Sequence, residues 1–214
     1  MRKLTLACRH FVSSWYAGGY IYLWSSHLLR HALKEWAVIC RLLAEGRQTI
    51  LLRKGGIAEA GGAFRLEHDA FWLYPTYVHQ QREGVRPELL PVLHAAQQWR
   101  PRTRVVHFTH FATAPCAFQV DRVEQLTGLQ DLHGWSDETV RSRFAYRRPG
   151  LFVIPARVYC AAKTYELPET DEYAGCKSWV ELATELGTDD ATPVLDDATF
   201  ASVVERLNRS LPSA

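Results

Sequence analysis

The run Leu151-Phe152-Val153-Ile154-Pro155-Ala156-Arg157-Val158-Tyr159-Cys160-Ala161 carries one charged side chain and is the strongest strand signal in the chain. Such a run needs neighbouring strands to satisfy its backbone and a core to cover its side chains. The rest of the sequence offers both. Thr49-Ile50-Leu51-Leu52-Arg53 is β-rich and ends at Lys54-Gly55-Gly56, and Phe71-Trp72-Leu73-Tyr74 continues into Pro75-Thr76-Tyr77-Val78, where Pro75 implies a strand end, an edge or a bulge. Residues 104–111 and 116–123 read as a hairpin joined through Ala112-Thr113-Ala114-Pro115, and residues 55–70 as a long irregular loop. Helical spacing places Leu29, Leu33, Trp36, Cys40 and Leu43 on one face of a helix stopped by Gly46, with Lys34, Glu35, Arg41 and Glu45 towards solvent. Further helices are expected over 87–99, from Ser136 to about Phe144, from Ser178 to about Leu186 on a capping-box pattern, and at the end of the chain through Phe200, Val203, Val204, Leu207 and Leu211. The expected class is therefore α+β: a mostly antiparallel, barrel-like sheet with helices packed around its ends.

Charge adds a partition that the net value of +2 hides. Residues 1–31 carry four basic and no acidic side chains, residues 32–160 carry 17 against 12, and residues 161–214 carry four against 11. Twenty of the 25 basic residues are Arg, which suits planar recognition of phosphates, carboxylates or bases. Thirteen Gly and ten Pro in 214 residues exclude a collagen-like or low-complexity chain, and 47% hydrophobic content argues against wholesale disorder. Five widely spaced cysteines without a CxxC or Cys/His cluster point to a reducing cytoplasm and to no metal site. Residues 1–30 form a leader of uncertain status: Phe11 to Leu29 is uncharged and aromatic, but its serines and Gly18-Gly19 dilute it below a spanning helix, so no stable membrane association is expected.

Several constellations have residue types that can carry chemistry. Arg53 and Lys54 before a glycine pair suit phosphate, or are simply a solvated strand terminus. Trp72 and Tyr74 share one strand face with Gln80 close by, so they either stack an unpaired base or pack a core. Arg141, Arg143, Arg147 and Arg148 follow Trp135 and offer either phosphate contacts or a charged helix surface. Glu67, His68, Asp69 and His79 have the composition of an acid–base site but no recognised metal-ligand spacing. His107 and His110, three apart on a strand, point to opposite faces. Cys176 precedes the Ser178 helix start, where a thiol pKa can fall, though no histidine lies nearby in sequence.

Four stretches converge on a known family: Ala32-Leu33-Lys34-Glu35-Trp36-Ala37; Ile50-Leu51-Leu52-Arg53-Lys54-Gly55-Gly56-Ile57; Phe71-Trp72-Leu73-Tyr74-Pro75-Thr76 with His79-Gln80; and Gly175-Cys176-Lys177-Ser178-Trp179. Together they resemble the bacterial domain of unknown function 1802 over about residues 32–186. The resemblance implies a stand-alone prokaryotic protein, names no reaction, and carries a link to restriction-type systems only as a suspicion. Gly46 to Arg53 is also similar to the opening GxKxxExR of the ASCH branch of PUA-like barrels. Gly46 and Arg53 match, whereas Gln48 stands at the lysine and Leu51 at the glutamate. In the members of that branch that hydrolyse modified nucleosides, the lysine and a carboxylate belong to the catalytic set. This second resemblance implies a PUA-like barrel and a nucleic-acid role, without that hydrolysis.

The expected organisation is the leader over 1–30, one PUA-like α+β domain over 31–187, and an acidic segment with an amphipathic helix over 188–214. The expected function is binding of RNA, DNA or a modified or unstacked base, through Arg53, Lys54, Trp72, Tyr74, Gln80 and Arg143, with no cofactor. The alternative is a hydrolase or restriction-associated enzyme using His68, His79, Glu67 or Asp69 near neutral pH. A third reading makes the acidic residues 161–214 a surface for a protein partner.

Overall fold

The computed structural model describes residues 28–54, 66–175 and 177–211. The expectations for the leader, for the loop over 55–65 and for Cys176 lie outside the described residues. Nine strands and four α-helices are described: β1 (Leu28–Trp36), α1 (Ala37–Ala44), β2 (Ile50–Arg53), β3 (Ala70–Thr76), α2 (Leu90–Gln98), β4 (Val105–Thr113), β5 (Phe118–Val120), α3 (Asp137–Ala145), β6 (Leu151–Pro155), β7 (Arg157–Pro168), β8 (Trp179–Gly187), β9 (Thr192–Pro193) and α4 (Asp197–Ser210). They build a six-stranded sheet in the order β8-β1-β3-β4-β7-β9 and a three-stranded sheet in the order β2-β6-β5. Only β1 and β3 run parallel; the other ladders are antiparallel.

The apolar run at 151–161 is two strands. Pro155 pairs with Ile50 in the small sheet, Ala156 still bonds the carbonyl of Thr49, and Arg157 already pairs with Thr113 of β4 in the large one. One continuous stretch thus turns a corner between sheets, a usual device in packed β architectures. The expected hairpin over 104–123 is absent for the same reason: β4 pairs with β3 and β7, while β5 pairs with β6 in the other sheet.

Alternation on β3 feeds two cores. Phe71 and Leu73 enter a core between the small sheet, the large sheet and the helices, whereas Trp72 and Tyr74 enter a second core on the opposite face. Around that second core the large sheet curls, and tyrosines bridge its flanks: Tyr165 Oη donates to the Gly187 carbonyl at 2.9 Å, and Ala183 N donates to Tyr173 Oη at 2.8 Å. A bulge between the pairs Phe108↔Tyr165 and His110↔Cys160 lets β7 bend. Among the described residues neither sheet closes through a backbone ladder.

Two expected helices are strands. The helix placed over Leu28 to Leu43 is β1 followed by α1, because β3 takes β1 as its parallel partner and tertiary pairing overrides a weak helical period. A shift in register between Leu29 and His31 puts both Leu29 and Ala32 into the second core, which erases the two-residue alternation that would reveal a strand. The capping box at Ser178 is β8, since the Ser178 hydroxyl meets Arg53 and Glu181 faces Arg30 on β1 at 3.5 Å. The last helix is as expected: Asp196 caps α4 by accepting from Thr199 N at 2.7 Å, and Phe200, Val203, Leu207 and Leu211 are buried. Of these, Val203, Leu207 and Leu211 join the first core, and Arg157 and Asp131 bond Asp197 and Arg206, so the acidic C-terminal region is built into the domain. No helix of the described residues is long and apolar enough to cross a membrane.

Candidate functional site

The end of β1 delivers Glu35 and Trp36 to the junction with α1. Glu35 is buried, its Oε1 accepts from Trp36 N at 2.8 Å, and its Oε2 accepts from Arg53 Nη1 at 3.1 Å. Arg53, at the end of β2, also donates from Nη1 to the Lys34 carbonyl at 3.1 Å and from Nη2 to Ser178 Oγ at 2.6 Å. One guanidinium therefore ties β2 to β1 and to the start of β8. With the side chains only 13% and 3% exposed, this is an interior ion pair whose desolvation is offset by several hydrogen bonds.

A second guanidinium arrives from α3. Ser136 opens that helix by accepting from Thr139 N, with Asp137 and Glu138 in the first turn complementing the helix dipole. Arg143 then lies 3.6 Å above the Trp135 ring and 5.9 Å from that of Trp36, and Trp36 meets Trp135 edge-on at 4.9 Å. Gly84 lies flat against Trp36, where a Cβ would fall 2.5 Å from the ring, so no larger residue fits without moving the indole. Burial pulls the Arg143 pKa down to about 10, with Glu35 opposing and Arg53 adding to the shift. It stays charged at neutral pH. Its one hydrogen bond to the described residues runs from Nη1 to the Leu52 carbonyl at 3.4 Å, a long contact. Two guanidinium groups and one carboxylate thus share an aromatic-walled site, leaving an excess of one positive charge. Such a site can receive an anionic group, and Arg143 has the free donors to bind it in a forked geometry.

The other residues singled out in the sequence separate from this site or serve it differently. Lys54 is not free for phosphate: an ammonium has three donors, and Nζ spends them on the carbonyls of Phe144 (3.1 Å), Gly150 (2.6 Å) and Arg148. It clamps the turn after α3. Gln80 Oε1 accepts from Val38 N at 3.0 Å and so caps α1, while its buried Nε2 has no hydrogen-bond partner among the described residues. Trp72 and Tyr74 do not stack a base; they are 0% and 2% exposed, enclosed by Phe108, Phe111, Tyr165 and Tyr173. Burial and the Glu169 carboxylate, to which Tyr74 Oη donates at 3.3 Å, push the Tyr74 hydroxyl pKa up.

The acid–base group does not converge. Glu67, His68 and Asp69 precede β3 and His79 follows it, and a seven-residue strand holds its ends roughly 20 Å apart. His68 stacks on His31 at 3.5 Å and meets Trp179 edge-on at 5.1 Å; burial and His31 lower its pKa. Glu67, Asp69 and His79 are exposed. No group of three or more His, Cys, Asp or Glu among the described residues is placed to hold a metal ion. Sequence reasoning missed Glu35 and Trp36, placed inside a helix that begins only at Ala37, and it treated Trp135 only as the opening of an arginine cluster. The signal that marks the first two is their presence in the Ala32–Ala37 stretch that carries the family resemblance.

The fold and site define a class: a two-sheet α+β domain whose sheets are joined by a buried Glu–Arg tie beside a tryptophan-backed arginine. The chain belongs to the family described as domain of unknown function (DUF1802), whose model matches residues 32–206. Among solved structures it is similar to the ASCH protein of Zymomonas mobilis, at 14% identity over 71% of this chain and 86% of that one, with a TM-score of 0.42. A serine-to-alanine mutant of that protein aligns at 14% identity over 82% and 94% of the two chains, with a TM-score of 0.38. No curated protein matches.

Proposed function

We propose that this chain is a nucleic-acid-binding module with a PUA-like, open-barrel arrangement of its two sheets, and that it takes an unstacked or modified nucleotide at Arg143. The observation that carries the reading is the state of that side chain. Its guanidinium is fixed over Trp135, shares the Glu35 charge with Arg53, and is held to the described residues by a single 3.4 Å hydrogen bond, so its remaining donors await an acceptor. A nucleotide supplies both things the site lacks: a phosphate for the free donors, and a π-face for the half-buried Trp36. Glu35 and Arg53 hold Trp36 in place from behind. The thiols of Cys40 and Cys160, which form no disulfide, fit a reducing, cytoplasmic setting.

Fluorescence anisotropy with labelled single-stranded RNA and DNA tests this. Binding at low salt should weaken as salt rises, with a log–log slope set by the number of phosphates contacted. Arg143→Gln should lower affinity and reduce that slope by about one. Undetectable binding at low salt, or a salt-independent signal, refutes the reading.

A further inference from the structure

We propose that the surface beside this site is a stacking platform for a flanking single strand, built from Trp99 and Tyr77 with Arg41 and Arg100; the proposal rests on the nucleotide reading of Arg143. Trp99 closes the C-terminal end of α2 and is 74% exposed, the most exposed large hydrophobic residue described. The Arg41 guanidinium, which also meets Glu45 one helical turn on, lies over the Trp99 ring at 5.5 Å. The Arg100 guanidinium lies over the half-buried Tyr77 ring at 5.9 Å. Each ring therefore carries a cation, the pairing that offers a base a π-face and its phosphate a counter-charge.

The platform starts from the chain beside the β1–α1 junction that carries Trp36. Thr76 pairs with Trp36 in the β1–β3 ladder, and its hydroxyl donates to the Glu35 carbonyl at 3.0 Å, so Tyr77 follows directly beside Trp36. Arg41 lies just beyond the first turn of α1 from Trp36, on the helix whose N-terminus Gln80 caps. A strand seated at Arg143 and Trp36 can continue over Tyr77 to Trp99 without leaving this edge. The charge of the segment agrees: Arg82, Arg100 and Arg102 are exposed, with Glu83 and Glu88 the acids between them. A protein-binding surface is less well matched, because Val78 is the one other strongly exposed aliphatic residue on this segment, and scattered single residues do not make an apolar interface.

The test compares uridine monophosphate, an oligouridylate of about ten nucleotides and a duplex of the same length, using wild type, Trp99→Ala, Trp99→Phe and Arg143→Gln. Wild type should bind the oligomer more tightly than the monophosphate and the duplex. Trp99→Ala should weaken oligomer binding about tenfold, and Trp99→Phe should restore most of it, since alanine removes the ring and phenylalanine keeps one. Arg143→Gln should weaken both the monophosphate and the oligomer. Equal oligomer affinity for wild type and Trp99→Ala overturns the platform while leaving the Arg143 site standing. Failure of wild type to bind any oligonucleotide overturns both. A change of oligomeric state in Trp99→Ala, with oligomer binding intact, assigns the surface to protein contact and also overturns the proposal.

Discussion

Replacing Glu35 with Gln should cost the fold about 3 kcal/mol, the lower end of the range for breaking a buried ion pair. Glutamine keeps the size of the side chain and, through Oε1, the acceptor for Trp36 N; the charge facing Arg53 is what disappears. An exposed pair would be worth under about 1 kcal/mol, but this one is almost fully enclosed. Arg53 retains its bonds to the Lys34 carbonyl and to Ser178 Oγ, and these limit the loss. At 214 residues each kcal/mol moves the melting temperature by about 2–4 °C, so a fall of roughly 6–12 °C is expected. Urea unfolding followed by circular dichroism gives the free energy directly, provided the slope with denaturant is unchanged. Arg53→Met and the double substitution complete a cycle, whose coupling should exceed about 1.5 kcal/mol. A loss below about 1 kcal/mol, or strictly additive single substitutions, would show that the pair behaves like a surface contact and that another interaction joins β1 to β2.

Gln48→Lys tests how tightly the interior just before β2 is specified. Gln48 is buried, donates to the Ile50 carbonyl at 2.8 Å and accepts from Gly134 N at 2.9 Å; a lysine cannot accept and brings a charge, so a loss of about 3 kcal/mol in unfolding experiments is expected. A loss below about 1 kcal/mol would sink this account. His133 makes stability pH-dependent. Burial holds its pKa down to about 4, against about 6.5 unfolded, and its Nδ1 accepts from Trp135 N at 3.2 Å in the neutral form. The unfolded chain therefore takes the proton first, and the stabilisation present above about pH 6.5 is lost as the pH falls towards 4, by about 2–3 kcal/mol. His110, lowered by burial, acts in the same direction. Urea midpoints between about pH 4.5 and 7 should fall more steeply on acidification for wild type than for His133→Asn, and parallel curves would exclude this assignment.

What the sequence made legible follows from how local each signal is. Ser136 announces α3 because a cap is satisfied within four residues, and α4 is announced by the apolar face of Phe200, Val203, Leu207 and Leu211. β3 is legible because its two faces are both apolar and its alternation is unbroken. β1 is hidden because a register shift breaks its period, and β8 because its residues spell a helix cap whose hydroxyl is used across the sheet instead. For the site, Arg143 was legible from charge density, but its aromatic backing was not: Trp36 lies 99 positions upstream of Trp135, and only the packing of α3 against the β1–α1 junction brings them within 4.9 Å. Trp72 and Tyr74 were misplaced for a related reason, since an aromatic pair on a strand looks alike whether the face is a core or a groove.

The described groups around Arg143 differ in what chemistry each can offer. A nucleophile needs a base within hydrogen-bond reach, and a general acid needs a proton it can release near neutral pH. Among the described residues the acid in the cluster is Glu35, with one oxygen accepting from Trp36 N and the other from Arg53. The Cys40 thiol behind it is fully enclosed and pushed well above the ordinary thiol range, first by burial and then by the negative charge of Glu35, so it is not a thiolate at neutral pH. Ser178 Oγ accepts from Arg53 Nη2 at 2.6 Å. Among the described residues, the groups left open at this end of the sheets are guanidinium donors and aromatic rings, the groups that the proposed nucleotide reading uses.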